Sequence, residues 1–500
     1  MHAINKNIFA TLLVISLTTS LSVTARGQAD STPQSGGAPP AATTPAEINA
    51  ENPPLSGLDS PTAEPAYGGR SYLVPGIQLS ESADSNANGA TGGGSHVSAV
   101  SRGLGSLDLQ KIWKTYQLGI DYIAGGVFYS GPHTARQTRA YQVHTLGIDQ
   151  RILWRTGQLA IRDSFNYLPE GTFGFSSYGG AGSFGSALGG QLGGVGAGSG
   201  LGGGLTGGSV GGVFGSGSFG SVGIQPRVDN STVMDIVEQL SPRSSITLAG
   251  GYAFTTFLDQ PQTTFNLVNS QQITAQAGYN RLLSKRDQVG FSYAFQDLHF
   301  PTAASGSINA HSWYVHYGHR ITGRLNFTAA GGPQLVIIRN PGILSLLLGS
   351  TTKRFSGSGA VGLHYIFSQR TNGQIMYQRY VTPGSGFYAG ADTDAVRVTL
   401  GHLFGRHWNS TVDGGYSRNR SIQSAANAIN SNSYQYWYAG GSLHRQIGQH
   451  FGAFATYQFN QFGAGRCASS SSSTAVCGQP IQQHIGSIGI DWHPRPIRLD

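Results

Sequence analysis

Val289-Gly-Phe-Ser-Tyr-Ala-Phe-Gln296 puts Val289, Phe291, Tyr293 and Phe295 at every second position, with Gly290, Ser292, Ala294 and Gln296 between them. Successive side chains of a β-strand point to opposite faces, so this is a strand with one apolar side and one small or polar side. The pattern returns in Ile246, Leu248, Tyr252 and Phe254 against Thr247, Ala249, Gly251, Ala253 and Thr255. It returns again in Gly359, Val361, Leu363, Tyr365 and Phe367 against Ser358, Ala360, Gly362, His364 and Ile366. Alternation by itself suits a soluble sandwich as well as a membrane barrel. Length separates them: the alternating segments run to about 11–17 residues, against about five or six in soluble sheets and about 9–11 for a tilted strand crossing a bilayer.

The connections sharpen the case. Tight turns fall near 151–156, 240–245, 283–288, 320–324, 368–373, 405–408 and 445–450, and longer loops lie between them near 130–138, 169–231, 258–271, 297–308, 340–352, 383–393, 419–431 and 463–482. Strict exchange of short and long connections joins about sixteen strands into an even-numbered antiparallel barrel. The expected fold is therefore all-β: a transmembrane, antiparallel, up-and-down β-barrel of about sixteen strands, closed so that no edge meets lipid.

Composition agrees. Gly occupies 74 of 500 positions and only 11% of residues are charged, which excludes a large helical enzyme; 23 Phe, 22 Tyr and 6 Trp against 3 Met favour pleated surfaces. The formal charge of +8 comes mainly from Arg scattered singly along the chain, not from a basic stripe that would grip nucleic acid. The tight turns hold ten Lys or Arg and one acid, Asp287, which gives that rim a basic character.

Residues 1–29 read as a secretory signal: Lys6, an apolar run from Ile8 to Val23, then small residues, with cleavage after Ala25 or Ala29. The run is too short for a spanning helix. Residues 30–112 are rich in Pro, Ala, Gly and Ser and read as a disordered or loosely ordered periplasmic arm, within which Arg70–Leu79 is suited to docking as a strand. The barrel is assigned to 113–493 and a C-terminal tail to 494–500. Cys467 and Cys477, the only cysteines, flank a Ser-rich stretch, and export favours a local disulfide between them.

Aromatics gather near strand ends, as at Phe128 and Tyr129, Phe165 and Tyr167, Phe404 and Trp408, Tyr434 to Tyr438, Phe459 and Phe462, and Trp492. Such rings suit a membrane interface. On this architecture, over residues 113–493, the chain resembles the outer-membrane β-barrel superfamily, porin-like branch. The resemblance implies a bacterial outer-membrane location with both termini periplasmic, contact with outer-membrane lipid and the barrel-insertion machinery, and the trimer that many porins form. Family barrels commonly end on an aromatic residue, whereas here His493-Pro-Arg-Pro-Ile-Arg-Leu-Asp500 follows Trp492. Asp163 is a second anomaly, because it shares parity with Leu159, Ile161, Phe165 and Tyr167. An acid facing lipid is costly, and a bulge or a place near the rim would relieve it.

By parity the polar lumen lining is Gln117, Asp121, Arg162, Asn166, Gln276, Asn280, Gln296, His316, His364, Arg397, Asp413, Gln458 and Asn460. Sixteen strands enclose an aqueous channel, and mixed charges imply weak ion selectivity. The loop 171–223, with 24 Gly and no charge, admits three readings: a surface loop, a constriction folded into the channel, or a self-associating appendage. No catalytic trio is proposed by local spacing, and no cofactor is expected. His311, His316 and His319 cannot converge on a metal, since His316 points opposite to the other two. The function expected is passive diffusion of small hydrophilic solutes. The alternative is a non-transporting barrel such as an adhesin or a polymer-export conduit; an outer-membrane lipase or protease is less favoured.

Overall fold

The computed structural model describes residues 71–87, 89, 97–130, 140–170, 224–258, 267–301, 306–339, 351–384, 386–405, 407–422, 433–464 and 480–499, all within one compact unit, Pro45–Asp500. The signal segment 1–29, the Gly-rich loop 171–223, and Cys467 with Cys477 lie outside the described residues.

The strands follow in chain order: β1 Tyr72–Asp84, β2 Ser98–Ile112, β3 Tyr116–Ser130, β4 Ala140–Leu153, β5 Gly157–Glu170, β6 Ile224–Ser241, β7 Ser244–Phe257, β8 Ser270–Leu282 and β9 Asp287–His299. Then come β10 Ile308–Thr322, β11 Leu325–Arg339, β12 Thr351–Ser368, β13 Thr371–Thr382, β14 Ala391–Phe404, β15 Trp408–Ser421, β16 Ser433–Ile447, β17 Phe451–Ala464 and β18 Ile481–Trp492. Each pairs with its successor, and β18 pairs antiparallel with β1 from Ile77↔Trp492 to Asp84↔Ile485, closing an eighteen-stranded barrel. This is the all-β, up-and-down, closed architecture that the alternation implies, and the tight and long connections fall where they were expected.

The two strands beyond sixteen are β1 and β2, so Tyr72–Asp84 and Ser98–Ile112 belong to the barrel wall rather than to a periplasmic arm. They escape the alternation test because their outward positions are interrupted. Pro75 and Glu81 stand among Ile77 and Leu79 on β1, and Ser101, Gly103 and Gly105 precede Leu107 on β2. Within the segment assigned as a tail, a two-residue strand, β19 Ile497–Arg498, pairs with Leu73 and Tyr72 at the foot of β1.

Polarity is inverted relative to a soluble protein. Val315 and Phe291 are 58% and 51% exposed, while Ser292 and His316, on the other face of the same strands, are 0% exposed. A sheet whose apolar side faces out and whose polar side faces in is built for an apolar solvent. Asp163 keeps to the outer face, midway along β5. No bulge displaces it, since the β5–β6 register is unbroken from Gly157↔Glu238 to Leu168↔Arg227. Instead Thr232 donates to Asp163 Oδ2, and Asn230 Nδ2 donates to both carboxylate oxygens at 3.3 and 3.4 Å. The acid's place on the outer, largely apolar face is thus offset by hydrogen bonds from the neighbouring strand, not by a bulge or a rim position.

One glycine is fixed by a close approach. The β10–β11 pairing skips Trp313 and Tyr314 opposite Gly332 and Pro333, where Pro333 has no N–H to give. A Cβ on Gly332 would stand 1.9 Å from the Trp313 carbonyl oxygen. We expect Gly332→Ala to destabilise the barrel by about 1–3 kcal/mol through overpacking, seen as a lower midpoint in urea unfolding. An unchanged midpoint would show that the two strands part without cost.

Candidate functional site

The inner face of the barrel carries every residue assigned to the lining by parity. Asp121, Arg162, Asn166, Gln276, Asn280, Gln296, His316, His364, Asp413, Gln458 and Asn460 are all under 9% exposed. Arg397 is nearly so, and Gln117 sits half-buried on the same face, at the short-turn end of β3.

The structure joins several of them. Arg397 on β14 donates from Nε and Nη2 to Asp413 Oδ2 on β15 at 2.8 and 2.6 Å; Thr399 adds a hydrogen bond at 2.8 Å to the same oxygen, and Tyr438 on β16 donates to Oδ1. Arg162 pairs with Asp235 at 2.6 Å. Gln458 Nε2 donates to Asn460 at 2.6 Å, Asn460 Nδ2 to Gln483 at 3.2 Å, and Gln483 Nε2 to Asp84 at 2.8 Å. That chain of amides crosses from β17 through β18 to β1, over the seam that closes the barrel. Asn166 donates to Ser164 Oγ at 3.2 Å, and His316 Nε2 lies 2.7 Å from Ser292 Oγ. Asp121 stands apart: its register partner on β2 is another acid, Asp108, which accepts a hydrogen bond from Tyr72 at 3.2 Å.

Sequence reasoning missed further wall charges. Asp149 and Arg151 bond at 3.0 Å, Arg227 and Asp229 at 2.6 Å, with Thr255 donating to Asp229 at 2.7 Å. Opposite charges two residues apart share one face of a strand, and that spacing was the available signal. Arg102, which donates to Ser82, was missed because β1 and β2 were not counted as wall. His311 and His319 face outward and His316 inward, and no grouping suited to a metal occurs among the described residues.

Above this wall the loop between β13 and β14 folds into the barrel mouth. Phe387 and Tyr388 are 1% and 0% exposed. The Phe387 ring lies 5.3 Å from Tyr434 and 5.1 Å from Phe462, on β16 and β17. On the other side Val268 N donates to Gly386 O at 2.8 Å, tying the loop to the approach to β8. Gly384, Gly386 and Gly390 have φ of +89°, +80° and +83°, which only glycine adopts without strain. A Cβ at Gly386 would also lie 2.5 Å from the Phe257 ring. The loop therefore spans part of the lumen, from the β7–β8 side to the β16–β17 side, with its aromatic pair as the obstruction. A constriction was one of three readings of 171–223, which lies outside the described residues; the loop between β13 and β14 is an inward-folded one within them.

Removing one partner of a buried ion pair strands the other, so Arg397→Met should cost about 3–5 kcal/mol. Arg397→Met with Asp413→Asn should recover most of it, both read by urea unfolding in detergent. Equal losses in the single and double variants would show that the pair itself is not what stabilises the wall.

Scans against family profiles and against curated proteins find no match to this sequence. Among solved structures, OpdK from Pseudomonas aeruginosa with vanillate is 9% identical, covering 84% of this chain and 98% of its own, at a TM-score of 0.39. OccAB1 from Acinetobacter baumannii is 10% identical over 88% of this chain and 100% of its own, at 0.39. A BenF-like porin from Pseudomonas fluorescens Pf-5 is 9% identical over 86% of this chain and 100% of its own, at 0.40. These values mark a remote likeness, from which neither solute nor mechanism passes to this chain.

Proposed function

We propose that the chain is an outer-membrane channel of a diderm bacterium, through which small hydrophilic solutes diffuse down their gradient. What supports the proposal is the inverted polarity of a closed barrel: apolar residues outside, and Arg, Asp, Asn and Gln inside. In this arrangement outer-membrane lipid surrounds the belt, the short turns and both chain ends face the periplasm, and the long loops face out. The barrel-insertion machinery is the partner in assembly, and a homo-oligomer is the expected state. The work is transport rather than catalysis.

Solute would meet two filters. The first is the Phe387–Tyr388 loop, whose rings set a size limit at the mouth. The second is the wall, where Arg151, Arg162, Arg227 and Arg397 each stand beside an Asp. Paired charges leave polar surface with little net field, so ions of either sign are weakly discriminated.

Purified protein in planar bilayers should give stepwise conductance, and Phe387→Ser with Tyr388→Ser should enlarge the step. A silent trace from folded protein would sink the channel and leave the adhesin or export-conduit reading. An enlarged step on deleting 179–220 alone would move the size limit to the Gly-rich loop.

The membrane placement has its own check. Val315→Arg, midway along the outer face of β10, should cost about 2–4 kcal/mol. In lipid vesicles this appears as a lower unfolding midpoint; indifference to the charge would argue against hydrocarbon at that position.

A further inference from the structure

The outer face of the barrel carries a basic pocket at the long-loop ends of β12 to β16. Arg379 on β13, Asp392 and Asp394 on β14, and Arg418 and Arg420 on β15 share parity with the exposed Tyr377, Val396 and Tyr416, so they project away from the lumen. In register Arg379 faces Asp394, Asp394 faces Arg418, and Asp392 faces Arg420. Arg354 joins them from the other parity, since it shares the inward side of β12 with Ser356 and Ser358. The β12–β13 pairing begins only at Gly359↔Arg379, so the upper part of β12 is paired with β11 alone. From that overhang the Arg354 guanidinium reaches past the end of β13 to Asp392.

Between them lies a pocket of about 560 Å³, lined by these four arginines, Asp392 and Ser433 among others. Its charges do not balance. Asp394 is shared by Arg420 at 2.6 Å and Arg379 at 3.7 Å, Asp392 is taken by Arg354, and the exposed Arg418 makes no ion pair among the described residues. Four guanidiniums against two carboxylates leave two positive charges over. Guanidinium forks match phosphate oxygens in bidentate fashion, which a structural ion pair does not require in excess.

Position identifies the ligand further. One pleat toward the middle of the wall, Tyr377, Val396, Tyr416 and Trp437 form an exposed row, 37–43% accessible. A charged pocket directly above an aromatic row, on the face turned to lipid, is at headgroup height. A soluble anion has no use for that row, whereas acyl chains lie against it.

We propose that this pocket binds the phosphate of an outer-leaflet glycolipid, with its acyl chains along Tyr416 and Trp437. This rests on the membrane placement proposed above, with the long loops outward. The test uses the full-length barrel in nanodiscs doped with lipid A or with enzymatically dephosphorylated lipid A, retention being read by native mass spectrometry. Wild type should hold lipid A and not the dephosphorylated form. Arg379→Gln with Arg418→Gln and Arg420→Gln should weaken retention at least about tenfold. Arg281→Gln with Arg286→Gln and Arg324→Gln, an equal loss of charge at the short-turn end, should leave it intact.

Retention of the dephosphorylated lipid, equal loss in the control variant, or displacement of lipid A by inorganic phosphate alone would each overturn the assignment. Conductance of the same preparations separates the two proposals. A silent wild type that still retains lipid A refutes the channel only, and a conducting wild type that retains none refutes the lipid site only.

Discussion

Backbone hydrogen bonding at the β1–β18 seam is the constraint on which the rest of this structure depends. Within hydrocarbon no water is present to receive an unpaired N–H or C=O, so a sheet can reside there only if it has no edge. The run from Ile77↔Trp492 to Asp84↔Ile485 removes the last two edges. Side chains reinforce it from inside, through Gln483 on Asp84 and Ser487 on Ser82. Once the wall is closed, parity assigns every side chain to one of two solvents, and the lumen chemistry follows from which residues fall on the inner side.

Much of this was legible in the sequence because period-2 patterning is local. Val289 to Gln296 announces its two faces without reference to any other strand, and the lining residues from Asp121 to Asn460 follow from the same parity. The first two strands were not legible, because Pro75, Glu81 and the glycines of β2 erase the apolar half of the alternation. Their place is decided by partners far along the chain. Asp163 shows a different limit. Its parity was read correctly, but its relief comes from Asn230 and Thr232 on β6, separated from it in sequence by the Gly-rich loop.

The inner wall and the mouth loop solve opposite problems. Arginine and aspartate inside a barrel are tolerable where each charge has an immediate counterpart, as Arg397 and Asp413 do with Thr399 and Tyr438 completing the carboxylate's hydrogen bonds. The loop 383–390 is apolar at its tip, and it is held by ring packing and by glycines that let the backbone turn inward. A loop fixed by packing on two sides obstructs without having to move, which suits a filter more than a gate.

The short pairing of Ile497 and Arg498 with Leu73 and Tyr72 is reinforced where Lys111 reaches the Leu499 carbonyl. It lies at the foot of the same seam, and the contacts there join residues separated by almost the whole polypeptide. Loop-closure entropy for so distant an encounter has to be met before any of its bonds form. The β1–β18 run closes the cylinder, and this latch fastens the two extremities of the wall beneath it, so the seam is held at its foot as well as along its length.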